Sequence, residues 1–388
     1  MSADPKSIPV ARPLVGEAEC EAAARVIRSG WLTQGPEVAA FEREFAAFTG
    51  APHACAVSNC TTALHLALLA AGVGPGDEVI TASHSFIATA NAVHTCGAVP
   101  VFIDIEPATY NMDPRLIDAA VSPRTKAILC VHQVGLPCDL AAILSIARAR
   151  GLPLIEDAAC AAGSEILWEG RWEKIGRPRG DAACFSFHPR KLLTTGDGGM
   201  IVTQNAEWDR KFRLLRQHGM GVPDAVRHGA KQVVFEDYVI PGFNYRLTDL
   251  QAAVGREQLK RLPGMVARRR SQAELYARLL ADIPGVSVPS EPAWARSNWQ
   301  SYIVRVVGGA QRQRAIMQSL LDSGIATRRG VMCSHREPAY RAAAWRAAGP
   351  LAESERAQDE GIILPLYHEM TAGEQERVAE AMRAACSA

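Results

Sequence analysis

Lys191 is the residue of this sequence best placed for covalent chemistry. An apolar run ending at Phe187 leads into a His-Pro turn, the lysine and then a glycine cluster at residues 196–199. The lysine therefore lies where the chain changes direction, not on a solvated helix face. A lysine that is partly desolvated at such a place can lose its proton and attack an aldehyde. A single loop lysine means little by itself, so a second element has to support this interpretation.

The second element is the carboxylate pair Glu156-Asp157, which follows the apolar residues 152–155. This pattern is typical of the C-terminal end of a buried parallel strand, where open α/β sheets bind their ligands. A carboxylate there can pair with a pyridinium nitrogen, and pyridoxal 5'-phosphate (PLP) needs both that partner and a Schiff-base lysine. Asp157 could instead cap a helix. Because Lys191 follows in the next strand-turn unit, we favour the PLP interpretation.

Residues 58–68 form a small, polar loop that opens an apolar helix. Backbone N–H groups at a helix N-terminus bind phosphate, helped by the helix dipole and by nearby hydroxyls, and Thr61 and Thr62 are placed for that task. Plain N-capping by Ser58, Asn59 or Thr61 is the alternative, and the two functions are compatible.

Alternating short strands and helices between residues 50 and 205 predict an α/β fold with a mostly parallel sheet between helices. Strands are expected at 54–57, 78–81, 99–104, 125–131, 152–156 and 198–203, and helices at 61–71, 88–95, 141–150 and 208–218. A long helix is expected from residue 247 to beyond 275, with Pro263 as a break or kink. It precedes strands at 285–288 and 301–307 and helices at 311–323 and 374–385.

The length of 388 residues exceeds the usual size of one core, so we predict a large domain over 1–250 and a smaller α+β domain over 251–388. The net charge of +1 gives no argument for nucleic acid or an anionic membrane as partner. No stretch approaches the ~20 apolar residues of a membrane span, and the start has no apolar signal core. The ten cysteines include no CxxC pair, so we expect a cytoplasmic protein with reduced thiols and no metal site.

Taken together, these segments resemble the DegT/StrS-type sugar aminotransferases, which are fold-type I PLP enzymes. The resemblance runs nearly from end to end, and its motifs lie at residues 30–36, 58–68, 156–159, 186–191, 195–199, 242–246 and 364–366. It implies that Lys191 forms the Schiff base with PLP, the internal aldimine, and carries the 1,3-proton transfer. It also implies that Asp157 keeps the pyridine nitrogen protonated. Some relatives replace the lysine by histidine and become sugar dehydratases, so Lys191 argues against that chemistry.

The resemblance implies further roles around the cofactor. Ser186, Thr61 and Thr62 would bind the phosphate, and Phe86 matches the aromatic residue that stacks on the cofactor ring. Asn244 matches a residue that reaches the phosphate of the neighbouring subunit's cofactor, which implies a homodimer with two shared sites. The alternatives are that Phe86 is a core aromatic residue and that Asn244 caps its own helix.

Two cysteines depart from the family's pattern. Cys160 stands where relatives often have Gln or His in contact with the phenolic oxygen of the cofactor, and a thiol is a weak hydrogen-bond partner. Because the sequence shows no adjacent base or cation cluster, we expect Cys160 to occupy the Gln/His position and not to be an activated nucleophile. Cys60 stands where relatives often have glycine, which would alter the phosphate loop slightly.

The implied reaction is transamination of a keto sugar with glutamate as the amino donor, and the favoured substrate is a nucleotide-linked 4-keto-6-deoxyhexose. An aminotransferase for a keto-cyclitol such as an inosose is the nearest alternative. A non-catalytic PLP-binding sensor is a more distant one, because nothing in the chain resembles a basic helix-turn-helix. The pair Arg328-Arg329 could meet a substrate carboxylate or diphosphate, or could form a solvated basic turn.

Overall fold

The computed structural model describes residues 7–222 and 232–387. The strands of these residues are β1 (His53–Val57), β2 (Glu78–Ala82), β3 (Val99–Ile103), β4 (Thr125–Val131), β5 (Leu154–Asp157), β6 (Glu165–Trp168), β7 (Arg171–Lys174), β8 (Ala182–Ser186), β9 (Gly199–Thr203), β10 (Val286–Ser287), β11 (Ala295–Arg296), β12 (Tyr302–Val306), β13 (Arg328–Arg329), β14 (Arg346–Ala347) and β15 (Gly361–Leu364).

The α-helices of the described residues are α1 (Glu17–Ser29), α2 (Pro36–Thr49), α3 (Cys60–Ala70), α4 (Ala88–Thr95), α5 (Ile117–Ala120), α6 (Leu140–Arg150), α7 (Ala206–Leu215), α8 (Asp249–Leu280), α9 (Gly309–Asp322), α10 (Ala352–Glu360) and α11 (Ala372–Ser387). Short 3-10 turns lie at Pro114–Leu116, Gln133–Gly135, Ser334–Arg336 and Pro338–Tyr340. Within the same part of the chain, no helix combines the length and the apolar character needed to cross a membrane.

A large sheet forms the centre of the molecule, and its strand order is β1-β9-β8-β5-β4-β2-β3-β14. All neighbours from β14 to β8 run parallel, whereas β9 is antiparallel to both β8 and β1. The predicted mostly parallel sheet is therefore confirmed. Because β1 and β8 both pair antiparallel with β9, β1 runs in the same direction as the parallel strands. Their carboxyl ends consequently meet at one edge of the sheet.

Both faces of the large sheet are buried under helices, as expected for strands that are apolar along their whole length. On one face, Ile128 and Phe185 belong to a cluster that includes residues of α2, α6 and α8. On the other face, Leu129 and Cys184 pack in a cluster with residues of α3, α4 and α7. Successive residues of β4 and β8 thus point to opposite layers, which fixes the register of the sheet.

A second, antiparallel sheet lies towards the C-terminus, in the order β10-β12-β15-β13. Its core includes Tyr276 of α8, Tyr302 of β12 and Val378 of α11. Ile8 joins this core and forms a bridge with Ile325, so the N-terminal segment packs against the C-terminal part of the chain. The strands β11, β6 and β7 form a third, small sheet. The division of the chain into domains at residue 250 stays a prediction.

Several predicted element boundaries are shifted in the structure, and two of them concern the site. Helix α8 starts at Asp249, because Thr248 and Gln251 form a capping box, and it continues through Pro263 without the expected break. Buried residues on both sides of the proline, such as Leu262 and Val266, hold the helix in place by packing, which outweighs the lost hydrogen bond. Strand β5 covers residues 154–157, not 152–156, so Asp157 belongs to the strand itself.

Glu42 of α2 links three elements at the β1 edge of the large sheet. Its carboxylate accepts hydrogen bonds from the Ala56 amide of β1 at 2.9 Å and from Arg213 of α7 at 2.7 Å. Arg216, which is only 4% exposed, donates to the same carboxylate and to the Ala56 carbonyl. Burial alone would raise the pKa of Glu42, but the two guanidinium groups hold that pKa below its ordinary value.

We expect Glu42→Ala to reduce the free energy of unfolding by about 3–5 kcal/mol, because it leaves the buried Arg216 charge without its partner. Glu44→Ala is the matched control on the same helix, since its ion pair with Arg256 is partly exposed and contributes about 1 kcal/mol or less. Urea unfolding measures both. The difference in the free energy of unfolding between wild type and Glu42→Ala should be largest near neutral pH. It should disappear as the pH falls through the lowered pKa of Glu42, because the carboxylate is then protonated in wild type. Equal losses in the two variants would contradict this account.

Candidate active site

Most of the predicted site residues lie at the carboxyl edge of the large sheet. Asp157 is the last residue of β5, and Ser186 is the last residue of the neighbouring strand β8. Lys191 follows five residues after Ser186 in the loop towards β9, and Phe86 lies in the loop after β2. Helix α3, which carries Thr61, begins just after β1 ends. Ligands of α/β sheets bind at this edge, so the topology brings these residues together.

Asp157 is buried, with 5% of its surface exposed. One carboxylate oxygen accepts a hydrogen bond from the Thr89 hydroxyl at 2.7 Å, and the other accepts from the Ala159 amide at 3.1 Å. Burial raises the pKa of Asp157, and these hydrogen bonds and the nearby Lys191 charge counteract the rise only in part. No helix of the described residues starts here, so the alternative that Asp157 is a helix cap is wrong.

The Lys191 amino group donates a hydrogen bond to the Cys160 sulfur over 2.9 Å. Burial alone lowers the pKa of Lys191, but its contact with Cys160 and the nearby Asp157 outweigh burial, and the pKa lies above its ordinary value. These contacts favour the protonated amine in the protein without cofactor, and the loss of this proton for attack on an aldehyde stays a prediction. Lys191 is a single cation beside Cys160, a contact that the distance in sequence hid, and the role of Cys160 stays a prediction.

Asn59 is the N-cap of α3 and accepts a hydrogen bond from the Thr62 amide at 2.9 Å. The Thr62 hydroxyl in turn contacts Asn59 and Ser58, whereas the exposed Thr61 side chain has no hydrogen-bond partner among the described residues. The helix start thus leaves free backbone N–H groups at the first turn, where an anion can bind. Capping and phosphate binding remain compatible. The Cys60 thiol donates to the Cys184 carbonyl at 3.5 Å, so it points into the core.

Phe86 and Asn244 are both exposed in the single chain. Phe86 is 55% exposed, which excludes its interpretation as a core aromatic residue. Asn244 lies between Phe243 and Tyr245, whose rings stack 4.8 Å apart beside α3. The alternative that Asn244 caps α8 is wrong, because Thr248 is the cap. The contact of Asn244 with a neighbouring subunit stays a prediction.

His132 and Glu156 lie beneath the site and were not predicted. His132 Nε2 and Glu156 Oε2 are 2.9 Å apart, and the Cys138 amide donates to His132 Nδ1 at 3.0 Å. Because Nδ1 accepts this hydrogen bond, the imidazole carries its proton on Nε2 and donates it to the Glu156 carboxylate. The sequence did contain a signal for this contact, namely the adjacent acids Glu156 and Asp157. Because neighbouring strand residues point to opposite faces, only one of the two can face the site, and the other needs a buried partner.

The chemistry of these groups fits a phosphorylated pyridine aldehyde. A buried carboxylate, Asp157, can pair with a ring nitrogen, and the Lys191 amino group can react with the aldehyde. The exposed Phe86 ring offers a stacking surface, and the start of α3 offers amides and hydroxyls to a phosphate. Ser186 Oγ accepts only a long contact of 3.5 Å from the His188 amide, which leaves its hydroxyl hydrogen available.

Residues 13–383 match the model of the DegT/DnrJ/EryC1/StrS aminotransferase family. The spore coat polysaccharide biosynthesis protein SpsC of Bacillus subtilis (strain 168) is 39% identical over 379 residues, which cover 97% of this chain and 96% of SpsC. The sugar aminotransferase Spr1654 of Streptococcus pneumoniae, described as putative and solved in its PMP form, superposes with a TM-score of 0.90 at 27% identity and covers 98% of this chain and 99% of its own.

DesI, solved in the presence of its TDP-sugar product, superposes with a TM-score of 0.86 at 32% identity. The match covers 100% of this chain and 95% of DesI. These similarities extend over the whole site and both sheets, and they confirm the fold-type I architecture and PLP as the cofactor. The chain therefore belongs to the DegT/DnrJ/EryC1/StrS aminotransferase family, which includes sugar aminotransferases, and it is a PLP-dependent aminotransferase.

Proposed function

We propose that the protein transfers an amino group from glutamate to the keto group of a nucleotide-linked sugar, with a 4-keto-6-deoxyhexose as the favoured substrate. This proposal depends on one observation: Lys191 and Asp157 lie close together at the carboxyl edge of the large sheet. The chain also belongs to a family of aminotransferases. The TDP-sugar product of DesI supports a nucleotide-linked substrate, and the name of SpsC supports a role in making a polysaccharide.

PLP, when bound, supplies an aldehyde that amines condense with and a ring that withdraws electrons. Lys191 Nζ is the amine that would bond to this aldehyde, and it would be free to carry a proton once the amino donor is bound. The freed Lys191 Nζ then moves a proton from Cα of the donor, and it returns a proton in the second half-reaction by microscopic reversibility. Asp157 accepts a hydrogen bond from the ring nitrogen and keeps the proton on that atom.

The phosphate-binding residues and the aromatic residue orient the cofactor. The N–H groups at the start of α3 and the hydroxyls of Thr61 and Ser186 would bind the phosphate, and the Thr62 hydroxyl would join them by leaving the Asn59 carbonyl. Phe86 covers one face of the ring. Cys160 would lie beside the phenolic oxygen, and the hydrogen bond from the Lys191 amino group holds these two side chains together.

Arg190, which precedes Lys191, and the nearby Arg328 suit the negative charges of both substrates. Arg329 forms an ion pair with Glu337 at 2.7 Å, whereas Arg328 and Arg190 have no ion-pair partner among the described residues. Burial and then the charge of Arg328 lower the pKa of Arg190, so the two guanidinium groups lie near enough to repel each other. A substrate anion relieves this repulsion, and both the glutamate carboxylates and the nucleotide diphosphate present such an anion.

A homodimer with shared sites is part of the proposal. Asn244 is exposed, and its segment packs beside α3 through the hydrogen bond from the Ser58 amide to the Tyr245 carbonyl, 2.8 Å long. Exposed apolar side chains precede it at Val233, Phe235 and Tyr238. An exposed apolar segment of this kind is typical of a surface that another chain covers. Asn244 of one chain then contacts the cofactor phosphate held by the other chain.

Absorbance of the bound cofactor tests the function. Glutamate should abolish the band of the PLP form in the purified enzyme, and the correct keto sugar should restore it, with 2-oxoglutarate released in between. The panel contains TDP-, UDP- and GDP-linked 4-keto-6-deoxyhexoses and scyllo-inosose, and Lys191→Ala serves as the inactive control. Restoration by the inosose alone would overturn the nucleotide-sugar assignment in favour of the cyclitol. If ligands change the absorbance of the bound cofactor but no 2-oxoglutarate is released, the protein is a sensor.

Asp157→Asn should keep PLP bound and reduce kcat at least ~30-fold. The change removes a charge-assisted hydrogen bond to the ring nitrogen, which contributes about 2–3 kcal/mol where it is desolvated. Asp181→Asn is the matched control, because Asp181 accepts a hydrogen bond from the Leu154 amide at the other end of β5. Single-turnover rates with glutamate measure the effect. A rate near that of wild type for Asp157→Asn would show that the carboxylate has no part in proton transfer.

Mixing two inactive variants tests the shared site. A Lys191→Ala chain combined with an Asn244→Ala chain should form heterodimers with one intact site, built from Lys191 of one chain and Asn244 of the other. Random pairing at equal amounts should restore roughly a quarter of wild-type activity. Native mass spectrometry confirms the exchange of subunits. If exchanged heterodimers stay inactive, or if an active monomer is found, the shared-site model is wrong.

A further inference from the structure

Lys191 lies in a loop whose backbone is held by side chains from other parts of the chain. No helix or strand covers residues 187–198. Residues 192–195 of this loop are buried, and a buried stretch without regular structure has to satisfy its peptide groups through other contacts. Those contacts decide where the Lys191 side chain starts and in which direction its amino group points.

Gln300 bonds to the peptide groups on both sides of Lys191. Its Oε1 atom accepts a hydrogen bond from the Leu192 amide at 3.0 Å, and its Nε2 atom donates to the Arg190 carbonyl at 2.5 Å. Gln300 is 8% exposed, so water competes little for these bonds. A primary amide offers a donor and an acceptor in one plane, and a backbone N–H and C=O on either side of one residue need this pair.

Asn298 holds Gln300 in turn. The side-chain oxygen of Asn298 accepts a hydrogen bond from the backbone N–H of Gln300 at 2.9 Å. The side-chain NH2 group of Asn298 donates to the backbone carbonyls of Cys160 at 2.8 Å and Ala162 at 2.9 Å. One short segment therefore fixes both the loop of Lys191 and the loop of Cys160. The hydrogen bond from Lys191 to Cys160, 2.9 Å long, closes this ring of contacts.

The backbone between these two amides is unusual. Trp299 has a φ of +53°, a left-handed conformation that costs energy for a bulky residue, and its ring stacks on Tyr302 of β12 at 5.5 Å. A Cβ atom on Gly135 would lie 2.1 Å from the Asn298 oxygen, so only glycine fits there. The surrounding structure thus holds a strained turn, and that turn aims two side chains at the reactive loops.

We propose that Gln300 is a positioning residue, which fixes the peptide groups flanking Lys191 and thereby keeps the lysine amino group on Cys160 and the cofactor. Gln300 lies two residues before β12, so it also connects the second sheet to the reactive lysine. This role rests on the proposed function of Lys191, but the contacts themselves exist in the protein without cofactor, where they can be tested separately.

The test compares Gln300→Met with Gln313→Met in cofactor-free protein. Gln313 is a buried glutamine of α9, and its side chain donates to the backbone carbonyls of Gln358 at 2.8 Å and Gly361 at 2.6 Å. It makes no hydrogen bond to the loop of Lys191 among the described residues. Each variant is pulse-labelled with an amine-reactive reagent over a range of pH, and peptide mass spectrometry gives the labelling rate of Lys191. Thermal unfolding measures the loss of stability in both.

Gln300→Met should label Lys191 about tenfold faster, with the pH midpoint moved down, because the lysine leaves Cys160 and loses the contact that raises its pKa. Gln313→Met should lose a similar amount of stability and keep the wild-type labelling rate. Gln300→Glu, which keeps the acceptor and loses the donor, should give a smaller increase, and it keeps the test readable if Gln300→Met does not fold. In loaded enzyme, kcat should fall about tenfold with KM for the sugar unchanged.

Wild-type labelling of Lys191 in both folded Gln300 variants would overturn the proposal and reduce Gln300 to a structural residue. The two proposals fail in different ways. If wild type does not transaminate any substrate of the panel, the proposed function is wrong, but the labelling rates of Lys191 still decide whether Gln300 positions it.

Discussion

The buried carboxylate of Asp157 is the constraint on which the rest of the site depends. Its direct hydrogen-bond partners, Thr89 and the Ala159 amide, are neutral, and burial raises its pKa. A desolvated anion is costly unless a cation comes close to it. Lys191 supplies positive charge nearby, and the protonated ring nitrogen of PLP would be a second cation that this position suits.

The same balance explains the state of Lys191 before the cofactor binds. Burial disfavours its charged form, but its contact with Cys160 and the nearby Asp157 favour that form more strongly, so the pKa of Lys191 lies above its ordinary value. The carboxylate that can pair with the ring nitrogen thus also stabilises the positive charge of the lysine.

The second sheet takes part in the site through a few side chains and not through a large surface. Gln300 and Asn298 precede β12 and bind to peptide groups of the Lys191 and Cys160 loops. Arg328 of β13 brings a positive charge near Arg190 from the same sheet. The parallel sheet therefore provides the carboxylate and leads into the lysine loop, while residues next to the antiparallel sheet contact that loop and place a second guanidinium group near Arg190.

The sequence by itself determined the parallel sheet, the family and the positions of Lys191 and Asp157, because strand ends and short motifs are properties of neighbouring residues. It did not determine the start of α8 or its passage through Pro263, which depend on the Thr248 cap and on packing. Only the tertiary structure decided the contacts of Cys160 with Lys191 and of Gln300 with the peptide groups flanking it, since these residues are 31 and about 110 positions apart. Such pairs depend on strand order and loop path, which no local pattern of residues encodes.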